Sequence, residues 1–481
     1  MRDRQLIGFV IGVVALLVLL LLPPKEPLTP LGMRTLGLFL STIIWWVTVG
    51  LDYPSFMCMA LLTLIGIMPP QEVFAASIGS WVVSFLIGCF GISECLRATG
   101  VINRLAIWFL TRSFVVGHPW RLISMLLLAC TLVSSFISSI ATCIIFMAIV
   151  APMLEALGYK KGEGSAAMVM MGIAWAATAS SAITPIGFSG NIVVIEWIRR
   201  DLGQAVSFLQ WVMFGTPTGL ITWLMILCVL RYAVRPDMSR FTQINDEYIG
   251  EMRRKVGPMK LEEKLSLGVF LTVIVCWMMP GISGGVLPHI SAYFDRMGFA
   301  VPAIVGSCLL CIIKVKGQPL MTFQQWMKGV EWGTVPLVAA IMVLGVALGK
   351  PETGIPELLT STFKPLVTDV PFHVFLSITL LWVILQTNVM SNMLSMTLVY
   401  NIMVPVAASA RVGNPAALGV TIAAASSYAF ILPSATISTA LAVGSGWVST
   451  SYMARYGAYM IIPTLFIFTF ICYPIASLIL G

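Results

Sequence analysis

Ionisable side chains are what this sequence lacks. Lys, Arg, Asp and Glu make up 10% of its 481 residues, where a soluble protein carries about 25%. Its three histidines, His118, His289 and His373, are scattered. No metal-ligand cluster or nucleophile–base pair can be read from the chain, so it is not expected to be an enzyme. The concentrated basic face that nucleic acid would require is missing too. The net charge of +8 comes from Lys and Arg gathered in loops of the kind that stay cytoplasmic. The segments of about ten alternating residues that build a membrane β-barrel are also absent. The ten cysteines lie mostly in apolar runs and have no framework spacing, so they read as reduced packing residues. Cys308 and Cys311 have CxxC spacing but neither a second pair nor a nearby histidine, and they do not read as a metal site.

What the chain has is hydrophobic length. Apolar residues make up 58% of it and its mean hydropathy is +0.96. Uncharged runs cover 122–154, 164–195, 202–230, 370–410 and 412–454, several of them longer than the roughly 20 residues that one membrane helix needs. An all-α polytopic membrane protein is expected, multi-pass in the cell inner membrane, with about 11 transmembrane helices. The apolar segment 6–22 is followed by Pro23-Pro24-Lys25 without a small-residue cleavage site, so it reads as a retained helix.

Small polar residues interrupt four of these runs. The first interruption is Ser138-Ser139-Ile140-Ala141-Thr142, and the second runs from Ser180 through Thr184-Pro185-Ile186-Gly187 to Asn191. The third is Ser391-Asn392-Met393, entered through Thr387 and Asn388, and the fourth runs from Ser426 through Pro433-Ser434-Ala435-Thr436 to Thr439. Polar backbone at membrane depth is tolerated only where protein or water lines it. Such breaks at corresponding positions in two halves point to a transport site.

A Trp-led run ending in glycines precedes each pair of breaks, at Trp81 and again at Trp332. Three features thus recur in one order, which is the mark of an internal repeat. The chain divides into an N-terminal helix (1–30), a first repeat (31–230), a basic solvated linker (231–264) and a second repeat (265–481). The basic excess places the linker, and the N-terminus with Arg2 and Arg4, in the cytoplasm. With an odd number of crossings in each half, the repeats are inverted. The length of the run 122–154 implies a turn near Ser134 to Ser139, as in a hairpin.

Hydroxyl, amide and carbonyl oxygens at the breaks could replace the hydration shell of Na⁺, and the adjoining helix ends suit an oxyanion. No acid or base falls inside any of the four breaks. Coupling through neutral oxygens, or no coupling, is therefore expected rather than a proton relay. Any single Ser or Thr is as well explained by a bond to its preceding turn; the signal is in the repeated arrangement. Trp81 and Trp332 read as packing or interface anchors. Asn191, Asn388 and Asn401 are expected to cap a break or line the site.

At these residues the chain resembles the divalent-anion/sodium symporter family of dicarboxylate, citrate and sulfate carriers. That family carries a Ser-Asn-Thr signature at the tip of a re-entrant hairpin in each inverted repeat. The corresponding positions here are Ser138-Ser139-Ile140 and Ser391-Asn392-Met393. The later breaks, Thr184-Pro185-Ile186-Gly187-Phe188-Ser189-Gly190-Asn191 and Leu432-Pro433-Ser434-Ala435-Thr436-Ile437-Ser438-Thr439, stand where the family has Pro-Pro pairs. The resemblance implies substrate contacts from Ser138, Ser139, Ser391, Asn392 and Thr436. It implies Na⁺ at Ser138, Ser139, Gly187, Asn191, Asn392 and Ala435, with no other cofactor. It further implies Na⁺-coupled symport of a small di- or tricarboxylate by a homodimer working as an elevator. The hairpins would fall near 122–142 and 371–393. Both signature threonines are replaced, by Ile140 and Met393, so a less polar pocket suited to a different anion is expected. The alternatives are a proton-coupled or uncoupled exchanger of the same fold and a non-transporting membrane scaffold.

Overall fold

A computed structural model describes residues 3–244, 246–284, 287–368 and 370–481. Arg2, one of the two arginines expected from the sequence to orient the N-terminus, lies outside them. The regular structure of the described residues is helical apart from a two-stranded antiparallel ladder of β1 (Lys314–Val315) and β2 (Gln318–Pro319).

The first half opens with α1 (Asp3–Leu21) packed along α2 (Pro30–Thr48). Glycine makes this contact possible, because a Cβ on Gly12 would stand 2.2 Å from the Trp45 indole nitrogen. That nitrogen donates to the Phe9 carbonyl at 3.0 Å. Next come α3 (Tyr53–Leu64), α4 (Pro70–Ala76), α5 (Trp81–Thr99) and α6 (Val101–Leu110). Gly100, at φ +92°, turns the chain between the last two. The run 122–154 folds as a hairpin of α7 (Pro119–Ser134) and α8 (Ser139–Ala156), with the turn where its length required one. Then follow α9 (Gly164–Ala179), a 3-10 turn at Ser180–Ala182, α10 (Ser189–Leu202) and α11 (Phe208–Cys228).

A π turn (Val229–Val234) leads into the linker, which holds a 3-10 turn (Ser239–Gln243) and α12 (Asp246–Val256). It is not a free tether. Arg104 on α6 pairs with Glu263 at 2.8 Å and donates to the Gly257 and Pro258 carbonyls at 2.9 and 3.0 Å.

In the second half, α13 (Leu261–Ser283), α14 (Pro288–Met297), α15 (Ala300–Ile312), α16 (Phe323–Gly329), α17 (Thr334–Gly349) and α18 (Ile355–Thr368) lead to a second hairpin. This hairpin joins α19 (Phe372–Thr387) to α20 (Asn392–Ala410). Beyond it lie α21 (Pro415–Ser426), α22 (Ile437–Gly444), α23 (Thr450–Ala458), α24 (Ile461–Ile467), a π turn at Phe468–Cys472 and α25 (Tyr473–Leu480). The order hairpin, short helix, break, helix is thus the same as in the first half.

Among the described residues, eight helices are long and apolar enough to cross a membrane, or up to ten if two pairs bent by 73° and 62° each count as one span. The eleven crossings expected from the sequence are separate from the two hairpins. The hairpin arms α7 and α19 have only 16 residues each, about 24 Å, short of the roughly 30 Å hydrocarbon layer. The helices leading into the later breaks are enclosed by protein, with every residue of α9 from Ser165 to Ala179, and of α21 from Ala416 to Ser426, buried. Their Ala, Gly and Ser content lets neighbouring backbones approach closely. All ten cysteines are free thiols.

Candidate functional site

Four chain segments, two from each half, meet around one cavity of about 210 Å³. Ser138, Ser139 and Ile140 line it from the first hairpin, and Ile186 to Ser189 from the break before α10. Ser391, Asn392 and Met393 come from the second hairpin, and Ala435, Thr436 and Ile437 from the break before α22. The first residues of α8, α10, α20 and α22 are Ser139, Ser189, Asn392 and Ile437, and all four are in the wall. Each helix N-terminus carries roughly half a positive charge, so the four together present the cavity with about two.

Three of these helix starts are uncapped. Ser138, Phe188 and Ser391 stand at the N-cap positions of α8, α10 and α20 without a side-chain bond to their own helix. The first backbone N–H groups of those helices therefore have no intrahelical acceptor. Only Thr436, which accepts from the Thr439 amide at 3.2 Å, caps its helix in the ordinary way.

The breaks are held open by amides and hydroxyls behind the cavity. Asn388 is saturated: its amide nitrogen donates to the Ile384 and Tyr428 carbonyls at 2.7 and 3.2 Å. Its oxygen accepts from the backbone of Phe430 and Ile431 at 2.7 and 2.9 Å. Asn191 donates to the Ser181 and Thr184 carbonyls at 2.9 and 2.8 Å. It does not line the cavity, and its own side-chain oxygen is buried without a partner. Thr184 donates to the Ser135 carbonyl, and Thr387 to that of Ser426, so each hairpin is tied to the helix or break behind it by the same kind of bond. Thr387 Oγ1 also lies 2.8 Å from Asn392 Oδ1. Asn401 only donates to Thr397 one turn back, at 2.8 Å. Gly187 is required by close approach, because a Cβ there would stand 2.5 Å from the Ser181 carbonyl oxygen.

The expected site residues Ser138, Ser139, Gly187, Ser391, Asn392, Ala435 and Thr436 thus share one cavity, while Asn191 braces it from behind. Ile140 and Met393, which replace the signature threonines, both face in. With Leu86, Phe90, Phe188 and Leu337 they make much of the wall apolar.

Among the wall residues that were not anticipated, one is charged. Glu331, ahead of α17, accepts from Ser138 Oγ at 2.6 Å and from Thr334 Oγ1 at 3.3 Å. The breaks themselves carry no acid, but the cavity does, so the argument from a missing carboxylate against proton coupling loses its footing. The sequence signal was one residue away, since Glu331 directly precedes the Trp332 that marks the repeat. Trp81, its counterpart in the first half, stacks on Phe299 at 5.7 Å and donates to Glu196 at 2.9 Å, which is a packing role.

A cavity deep in a helical membrane bundle, walled by helix starts from two similar halves, defines a membrane transporter rather than an enzyme. The chain belongs to the sodium:sulfate symporter family, whose transmembrane-region profile matches residues 3–478. It is 25% identical over 491 residues to the sodium-dependent dicarboxylate transporter SdcS of Staphylococcus saprophyticus, covering 99% of this chain and 92% of that protein. A relative of the same description from Staphylococcus aureus is 25% identical over 495 residues, with the same coverage of both chains. Among solved structures, the YdaH transporter of Alcanivorax borkumensis matches with a TM-score of 0.58 at 12% identity, over 98% of both chains. That likeness concerns the fold.

Proposed function

We propose that this protein is a secondary transporter of small organic anions, di- or tricarboxylates, coupled to Na⁺. The observation that carries the reading is the meeting of four helix starts, three of them uncapped, at one cavity with Ser, Asn and Thr side chains in its wall. Uncapped N–H groups and aligned helix dipoles favour an oxyanion. Ser138, Ser139, Ser391, Asn392 and Thr436 contact the substrate. Na⁺ is held by the oxygens of Ser138, Ser139 and Asn392, by carbonyls at Gly187 and Ala435, and by the buried, unpartnered oxygen of Asn191. The names of the SdcS relatives agree with this assignment of ion and substrate.

Coupling follows from linkage: cations that order the hairpin tips raise anion affinity, and the anion raises cation affinity by the same factor. The hairpins and broken helices move as one body against the remaining helices, in an elevator-like cycle within a homodimer. The repeats span 31–230 and 265–481 in opposite orientation, with the N-terminus and the linker 231–264 in the cytoplasm.

The test is uptake of labelled succinate into proteoliposomes with Na⁺, K⁺ or choline outside. Uptake that requires Na⁺ is expected; equal uptake with all three cations would rule out Na⁺ coupling. Glu331 in the cavity wall favours a second reading, coupling to protons. Uptake driven by an inward proton gradient without Na⁺ would select it.

A further inference from the structure

The residues that line the cavity include one charged group, and it is negative. Glu331 is bonded to Ser138, the N-cap residue of α8, whose hydroxyl makes no bond to its own helix. A carboxylate belonging to the protein therefore stands at one of the four helix starts, in the position where helix polarity favours an anion. An adjoining cavity of about 250 Å³ shares Phe90, Ser93, Ser138, Ile140 and Glu331 with the first. Its other charged residues are Glu94 and Arg97, which pair with each other at 2.6 Å and 2.8 Å. Arg97 is thus committed to a different acid, and neither cavity is lined by Lys or His.

We propose that Glu331 is a specificity-determining residue of the anion site: it contributes a negative charge of its own, so the cavity favours a dicarboxylate over a tricarboxylate. This rests on the transport reading above and narrows its substrate class. Like charges at close range in a partly desolvated site disfavour each other, and a third ligand carboxylate meets Glu331 where two can be taken by the two remaining uncapped helix starts, those of α10 and α20. Bound Na⁺ attracts a trianion more strongly than a dianion, and it does so equally in wild type and in a Glu331 variant, so the change on removing the Glu331 charge isolates the carboxylate's share. Removing the charge while keeping the shape should relax the discrimination.

Wild-type protein, Glu331→Gln and Glu331→Asp are reconstituted in proteoliposomes at about pH 8, where succinate is a dianion and citrate a trianion. The quantity measured is the ratio of half-saturation concentrations for the two under an inward Na⁺ gradient. Wild type favours succinate, Glu331→Gln moves the ratio toward citrate by roughly tenfold or more, and Glu331→Asp stays near wild type. An unchanged ratio in Glu331→Gln, with both anions still carried, overturns the proposal and leaves the transport reading standing. A variant that binds but no longer transports is read by ligand-induced thermal shift, where the same ratio has the same two outcomes. If folded wild-type protein neither binds nor carries either anion, the transport reading falls and takes the proposal with it.

Discussion

The Ser138 hydroxyl bonds the Glu331 carboxylate at 2.6 Å across 193 residues of chain, and it does so in place of capping its own helix. This bond fastens the tip of the first hairpin to the segment that leads into α17. Ser138→Ala leaves Glu331 with only the longer bond from Thr334. Uptake should fall by roughly tenfold, the scale of one charge-assisted hydrogen bond, while Ser138→Thr should retain most of it. Initial rates in proteoliposomes decide; equal rates for the Ala and Thr variants would mean that the bond plays no part.

Asn392 stands at the start of α20 in the cavity wall, and Cys308 is an exposed residue on α15. Asn392→Ala should lower uptake by at least about tenfold, and Cys308→Ala should leave it unchanged. Comparable uptake by the two variants would count against the site.

Asn388→Ala removes four hydrogen bonds and leaves the Phe430 and Ile431 amides without their acceptor. A buried group left unsatisfied costs about 1–3 kcal/mol, so a loss of about 2–6 kcal/mol is expected for the pair. Thermal unfolding in detergent measures it. A variant as stable as wild type would show that the break does not depend on this amide.

Arg104 and Glu263 form a largely buried pair between α6 and the start of α13. Either single Ala substitution should destabilise the protein by about 3–5 kcal/mol by stranding its partner. The double variant should lose less than the sum of the two. Strictly additive losses in a double-mutant cycle would deny the coupling.

Gly187→Ala would bring a methyl group against the Ser181 backbone and force the break before α10 to shift. Uptake should drop to background while the protein still purifies as a folded species, because the displaced backbone is cavity wall rather than core. Retained uptake would show that this stretch yields without consequence.

The sequence is legible where polarity is out of place. Ser138, Ser391, Asn392 and Thr436 stand out against uncharged runs, and the structure gathers them around one cavity. The hairpin turn was legible from length, because a run of 33 residues at 122–154 cannot be one straight span. Glu331 was not, since an acid beside a tryptophan at the head of a helix looks like an ordinary boundary residue. Only the packing of the segment ahead of α17 against the first hairpin carries it to the cavity. Asn191 reads from the sequence as either a brace of the break or a wall residue, and its amide bonds two carbonyls that the break had freed.

The enclosure of α9 and α21 has a consequence for how the protein behaves in different lipids. Neither helix presents a surface to acyl chains, so a thicker or thinner bilayer cannot pull on them directly; mismatch strain falls on the peripheral helices instead. The breaks that these two helices feed would keep their geometry as lipid chain length is varied, and substrate affinity would stay level even where turnover changes.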